Sequence, residues 1–268
     1  MFHWPQTCVP MVVYPNDFVG MMPLEEILGA VDASAGAWSA GSNPCTYLQI
    51  TVSSSMDETP RATFDGRNNI IFRTTSWCKL TETGACDPMV PPYDPNALAL
   101  TSVTAGMSSG IIRDVDMEVN GFGPAWADLV THPELRGTRF HDLQNAVTHE
   151  IGHVIGLFHT CYLEPPPLID NTGQPIPDCA SASPDIRATT MFPSADPGDL
   201  DKRTLEPDDE LGLCEIYPAA QDPMTCMDSG TEDGCSCATA GVRASAAGSM
   251  LMLAATLAVL RARRRRHT

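Results

Sequence analysis

Residues 148–160 read THEIGHVIGLFHT, and three of the chain's seven histidines fall within these thirteen positions. The apolar residues Ile151, Val154, Ile155 and Leu157 recur at helical spacing, so the segment predicts a helix with one buried face. On that helix His149 and His153 are four residues apart and share a face. Two imidazoles at this spacing can meet one zinc ion, and Glu150 beside the first can reach a metal-bound water as a general base. Gly156 can take a left-handed conformation and end the helix. The chain then doubles back, and His159 falls where a third ligand is needed. Three protein ligands leave a fourth position open, as a catalytic zinc requires. A half-buried helix with coincidental histidines is the plain alternative; the placement of Gly156 and His159 weighs against it.

Working outward, the 268 residues are 43% apolar and 18% charged, enough to bury a full core. Ten cysteines point to disulfides and an oxidising compartment. The net charge is −17. Six of the sixteen Lys and Arg lie after Cys237, where there is no Asp or Glu, so the body is more acidic still. No basic face is left for nucleic acid. The opening MFHWPQTCVP has neither a basic start nor a long apolar run, so no signal peptide is visible. A segment upstream of Met1 is the expected reason.

Short β-prone runs predict strands at 9–14, 47–52, 69–74, 97–104 and 111–119. Helices are predicted at 23–38 (Leu24, Ile27, Leu28, Val31, Ala35 and Trp38 inward), 141–157 and 206–217. Residues 78–95, 130–138 and 164–184 read as irregular. The order predicts one α/β domain over 1–220. A linker with a Cys motif would follow at 221–238, and an apolar and Arg-rich tail at 239–268.

The extended motif resembles the metzincin metallopeptidases. TTMFP (189–193) resembles their Met-turn, which would put Met191 beneath the zinc as a structural residue. Further features are similar to the matrixin branch: Thr160 after the third histidine, the lead-in DLQNAVTHE (142–150), and LEPDDELGLCEIY (205–217) with Asp208, Asp209, Gly212 and Tyr217. The resemblance implies a zinc endopeptidase with a twisted, mixed five-stranded sheet, an active-site helix and a C-terminal helix. It implies zinc on His149, His153 and His159, with Glu150 as the catalytic base. It also implies that protein or peptide substrates pair with an edge strand here placed at Leu98, Ala99, Leu100 and Thr101, and that the loop after Met191 lines the pocket beyond the scissile bond. A monomer is expected.

Departures are also visible. The 31 residues between His159 and Met191 are long for a matrixin and carry Cys161, Pro165–Pro167 and Cys179. A Cys161–Cys179 disulfide would brace them, and Cys8–Cys45 and Cys78–Cys86 are candidate pairs, although sequence does not settle connectivity. No inhibitory cysteine motif and no loop for a second zinc is apparent. Asp114, Asp116 and Glu118 alternate on one strand and fit either calcium, through oxygen ligands, or a solvated face. The tail combines Gly-Cys-Ser-Cys (234–237), an apolar run (246–260) too short for an ordinary span, and an Arg cluster (261–266). It resembles myxobacterial surface-sorting tails. That implies contact with the membrane and with a sorting protease, processing near Cys235 or Cys237, and a secreted or surface-anchored product. Two rivals remain: a non-catalytic zinc-binding adhesion protein on the same fold, and a metzincin of another branch.

Overall fold

A computed structural model describes residues 1–56, 61–163, 169–170 and 173–226. Compact unit one runs from Met1 to Ser229 and holds all of these; unit two, Gly230–Thr268, lies outside them, as do Pro165–Pro167 and every tail feature noted above. No described helix is long and apolar enough to cross a membrane.

The architecture is α/β. Strands β1 (Cys8–Tyr14), β2 (Gln49–Ser54), β3 (Asn69–Arg73), β4 (Ala99–Ala105) and β5 (Ile112–Asn120) form a mixed sheet in the order β2-β1-β3-β5-β4. All neighbours are parallel except β4, which runs antiparallel to β5 at one edge. Alternation along the strands decides what each face does. Val9, Met11 and Val13 of β1 and Val115, Met117 and Val119 of β5 are buried in one core with the helices.

Helix α1 (Leu24–Ala37) starts after Pro23, with Glu25 and Glu26 at the positive end of its dipole. It buries Ile27, Ala30, Val31, Ser34 and Ala35, while Leu24, expected inward, is exposed. The small side chains Ala30 and Ser34 bring it close to helix α2 (Leu143–Val154). Ser34 Oγ lies 2.9 Å from Thr148 Oγ1, and Trp38 Nε1 donates to Thr148 O at 2.8 Å. The predicted start at His141 is two residues early. His141 and Asp142 belong instead to a short strand (β7, Phe140–Asp142), parallel to β6 (Ala125–Ala127). Asp142 then caps α2 by accepting from Asn145 N at 2.8 Å.

The C-terminal end of α2 is satisfied by two segments far apart in the chain. Trp4 Nε1 donates to Val154 O, and Tyr217 Oη donates to Ile155 O while accepting from Trp4 N. Gly156 has φ +95°, and a Cβ there would run into the Phe2 carbonyl. Only glycine meets both demands. Gly156→Ala is therefore expected to lose at least about 2 kcal/mol of stability, read as a lower urea midpoint. An unchanged midpoint would mean that this turn does not hold the N-terminal segment.

After the short helix α3 (Pro184–Ala188), helix α4 (Pro207–Ile216) carries a capping box between Glu206 and Asp209. Four disulfides are formed among the described residues. They are the mark of a chain that matures in an oxidising, extracellular-type compartment. Cys78–Cys86 and Cys161–Cys179 pair as expected. Cys8–Cys45 does not form: Cys8 pairs with Cys226, and Cys45 with Cys214. The reason is where α4, which carries Cys214, and the chain after it pass. Ala219 N donates to Cys45 O, and Thr225 pairs its backbone with Thr7, which sets partners 169 and 218 residues apart side by side.

The acidic stripe on β5 corrects another expectation. Asp114, Asp116 and Glu118 are buried under residues 61–67 and 93, and do not form a solvated face. Asp114 accepts from Asp65 N and Gly66 N, Asp116 from Thr63 N and Asn69 Nδ2, and Glu118 from Arg73 Nε and Tyr93 Oη. The structure therefore shows these carboxylates as acceptors for the segment that covers them. Burial pushes the Asp116 carboxyl up to about 7.

Candidate metal centre

His149, His153 and His159 converge as the sequence predicts. They are the one group of three or more potential ligands that lies close enough to share a metal ion among the described residues. His149 Nε2 is 3.3 Å and His153 Nε2 3.1 Å from His159 Nε2. Three nitrogens about 2.0–2.1 Å from one tetrahedral zinc stand about 3.3 Å apart. The two measured separations match the spacing that zinc sets between its ligands.

Hydrogen bonding fixes which nitrogens face the centre. His149 Nδ1 lies 2.6 Å from Thr190 O and His153 Nδ1 lies 2.8 Å from Leu157 O. A carbonyl only accepts, so both Nδ1 atoms carry the proton and both Nε2 lone pairs point inward. Lone pairs crowded in this way repel unless a cation lies between them. Burial, followed by the charge of Lys202, holds His149 well below the usual imidazole range. Burial, followed by His153, holds His159 down to about 4. Both rings are neutral at pH 7, as ligands must be.

The sign of the pH effect follows for the metal-stripped protein. Above pH 6.5 these rings are neutral both folded and unfolded. Between 6.5 and about 4 the unfolded chain takes up protons that these rings refuse in the fold, so their contribution to stability falls as the pH falls through that window. The raised Asp116 carboxyl acts in the opposite sense, so the effect is read by difference: after chelation the urea midpoint of the unsubstituted protein is expected to fall over this range relative to that of His159→Gln. An equal slope in that variant would contradict the assignment.

Glu150 lies on the same helix, buried, with Oε2 accepting from Thr101 Oγ1 at 2.6 Å. Nothing in the sequence points to this anchor; there Thr101 is expected only as part of the substrate-pairing strand. The expected segment Leu98–Thr101 belongs to the edge strand β4, with Leu98 just ahead of it. Asn120 N donates to Leu98 O, and Ala99 stands opposite Val119. In an antiparallel pair the bonding alternates, so Leu98, Leu100 and Ser102 bond inward while Ala99, Thr101 and Val103 turn N–H and C=O to the open edge.

Met191 is buried against Gly152, between the two helical ligands, where any Cβ would overlap its sulfur. Asp209 at the start of α4 accepts from Thr190 N at 2.7 Å and Met191 N at 3.2 Å. The turn that supplies the Thr190 carbonyl to His149 is thus tied to the C-terminal helix. Thr160 N donates to Met191 O and Thr160 Oγ1 meets Thr189 Oγ1, which ties the third histidine to the same turn. Cys161, Cys179, Ala182 and Phe192 form a small separate core that braces the insert.

No protein-family profile matches the chain, and no curated protein matches it. Among solved structures, that of myroilysin aligns over 81% of this chain and 82% of its own, at 14% identity and a TM-score of 0.37. A likeness of that size says nothing about activity.

Proposed function

We propose that this chain is a zinc-dependent endopeptidase of matrixin-like type, secreted or displayed at the cell surface, acting as a monomer on protein or peptide substrates. The observation that carries the reading is the convergence of three histidine Nε2 atoms beside the helix that also carries the buried Glu150 carboxylate. The sequence resemblance around Thr160, Met191 and the 205–217 segment supports it. Bound to His149, His153 and His159, zinc would polarise the scissile carbonyl and make a water acidic.

The chain's own residues do the rest. Glu150 takes a proton from the attacking water and delivers it to the leaving amine. The Thr101 hydroxyl holds that carboxylate in place. The outward backbone groups of Ala99, Thr101 and Val103 receive the substrate as an added strand. Thr190 O and Leu157 O orient two of the three ligands. Surface anchoring through the Arg-rich tail, with a sorting protease acting near Cys235 or Cys237, belongs to the same proposal.

The test is cleavage of an unfolded protein by the full chain, with and without a zinc chelator. Cleavage is expected to stop with chelator and return with added zinc. Cleavage that continues unchanged in chelator would contradict the reading. Zinc binding without cleavage of any protein would favour the adhesion role.

A further inference from the structure

Thr101 belongs to two parts of the site at once. It is the middle residue of the outward-bonding set on β4, so its N–H and C=O lie at the open edge. Its side chain leaves the sheet on the α2 side, where Oγ1 donates to Glu150 Oε2 at 2.6 Å. Among the described residues this hydroxyl is the one protein donor to the Glu150 carboxylate, which is only 7% exposed. Oε1 receives none. The two oxygens are thereby divided: Oε2 is committed to the strand, and Oε1 is left for water.

A buried carboxylate with a single anchor points where that anchor holds it, because losing the bond leaves the charge without a donor. The anchor here is threonine, whose branched Cβ allows few χ1 settings, so the direction of the hydroxyl follows the backbone. That backbone is at an edge of the sheet, with β5 as its one neighbour. A strand bonded on one side, with its outer groups open to solvent, lies at the low end of local stability. The aim of Glu150 therefore depends on how firmly the edge of β4 is held.

We propose that Thr101 is a positioning residue that links substrate pairing to the base. An added strand bonded to the Thr101 N–H and C=O fixes the backbone, and the hydroxyl carries that constraint to Glu150. Part of the substrate's backbone binding energy then appears in turnover and not in affinity. This inference rests on the endopeptidase reading of the site, with substrate paired along β4.

The test uses the zinc-loaded full chain and two peptides with the same scissile pair. One is long enough to pair along residues 99–103; the other is cut back to the residues that flank the bond. In the unsubstituted protein truncation is expected to lower kcat as well as raise KM. In Thr101→Val, kcat for the long peptide is expected to fall on the order of ten- to a hundredfold, to the level of the short one, so that truncation alters KM alone. Thr101→Ser is expected to restore the unsubstituted pattern. A kcat that Thr101→Val leaves unchanged or lowers equally for both peptides, or that truncation does not touch in the unsubstituted protein, overturns the proposal and leaves the endopeptidase reading intact. Cleavage of neither peptide, nor of any protein, overturns both. The contact is also read without turnover, from urea midpoints of metal-free Thr101→Val, Glu150→Ala and the double variant. Non-additive losses are expected, and additive losses overturn the proposal. If Thr101→Val does not fold, Thr101→Ala takes its place in both comparisons.

Discussion

Glu150→Ala is expected to lower peptide-bond hydrolysis roughly 10²- to 10⁴-fold while leaving the bound zinc in place. The separation of the two effects is the informative part. The metal is held by imidazole nitrogens at 3.1 and 3.3 Å spacing, and no Glu150 oxygen belongs to that set. Its carboxylate is instead fixed by Thr101 Oγ1 at 2.6 Å. Removing it takes away the proton carrier, not a ligand. Glu150→Gln sharpens the result, because the amide still accepts from Thr101 but cannot take a proton. Both variants should be inactive. Activity retained in either would remove Glu150 as the base, and zinc lost from both would mean that its role is to build the site.

His153→Ala is expected to lose the metal. Three ligands share a binding energy which, for structural zinc sites of four ligands, totals about 10–16 kcal/mol, so removing one costs roughly 3–5 kcal/mol, or about two to four powers of ten in affinity. The variant also leaves Leu157 O without its donor, at the turn where Gly156 reverses the chain. Zinc binds only the folded form, so its loss removes the stabilisation that metal gives by mass action. Chelator should therefore lower the Tm of the unsubstituted protein and leave that of His153→Ala unchanged. If chelator shifts both equally, the histidines are decoration on a helix and the metal lies elsewhere.

Features decided by neighbours a few residues apart were legible. His149 and His153 had to share a face, and Gly156 had to turn the chain so that His159 could return; the structure agrees on each. The five strands and three helices of the prediction are present, shifted by one to three residues at their ends. Tyr47 illustrates this: it precedes β2 and packs edge-on to Tyr217, far along the chain. Asp114, Asp116 and Glu118 had the alternation of a wet or metal-bound face, because their cover comes from Thr63, Asp65, Gly66, Asn69, Arg73 and Tyr93. Cys8 and Cys45 were candidate partners for each other, whereas the true partners are set by where α4 and the chain after it pass. Lys202 gave no signal at all. In DLDKRTLE it reads as one more surface charge, and only the packing of its turn on Asn145 buries it.

The disulfide from Cys8 to Cys226 also bears on how the protein is handled. A chain ended at residue 220 would lack that bond and the strand contact at Thr7, so measurements belong on the full chain. The most direct is the metal content of the purified protein by elemental analysis after loading with zinc and removal of excess. About one zinc per chain is expected for one closed set of three histidines and an open fourth position, and none in His149→Ala or His153→Ala. A protein that keeps no zinc, or keeps as much in those variants, would contradict the account.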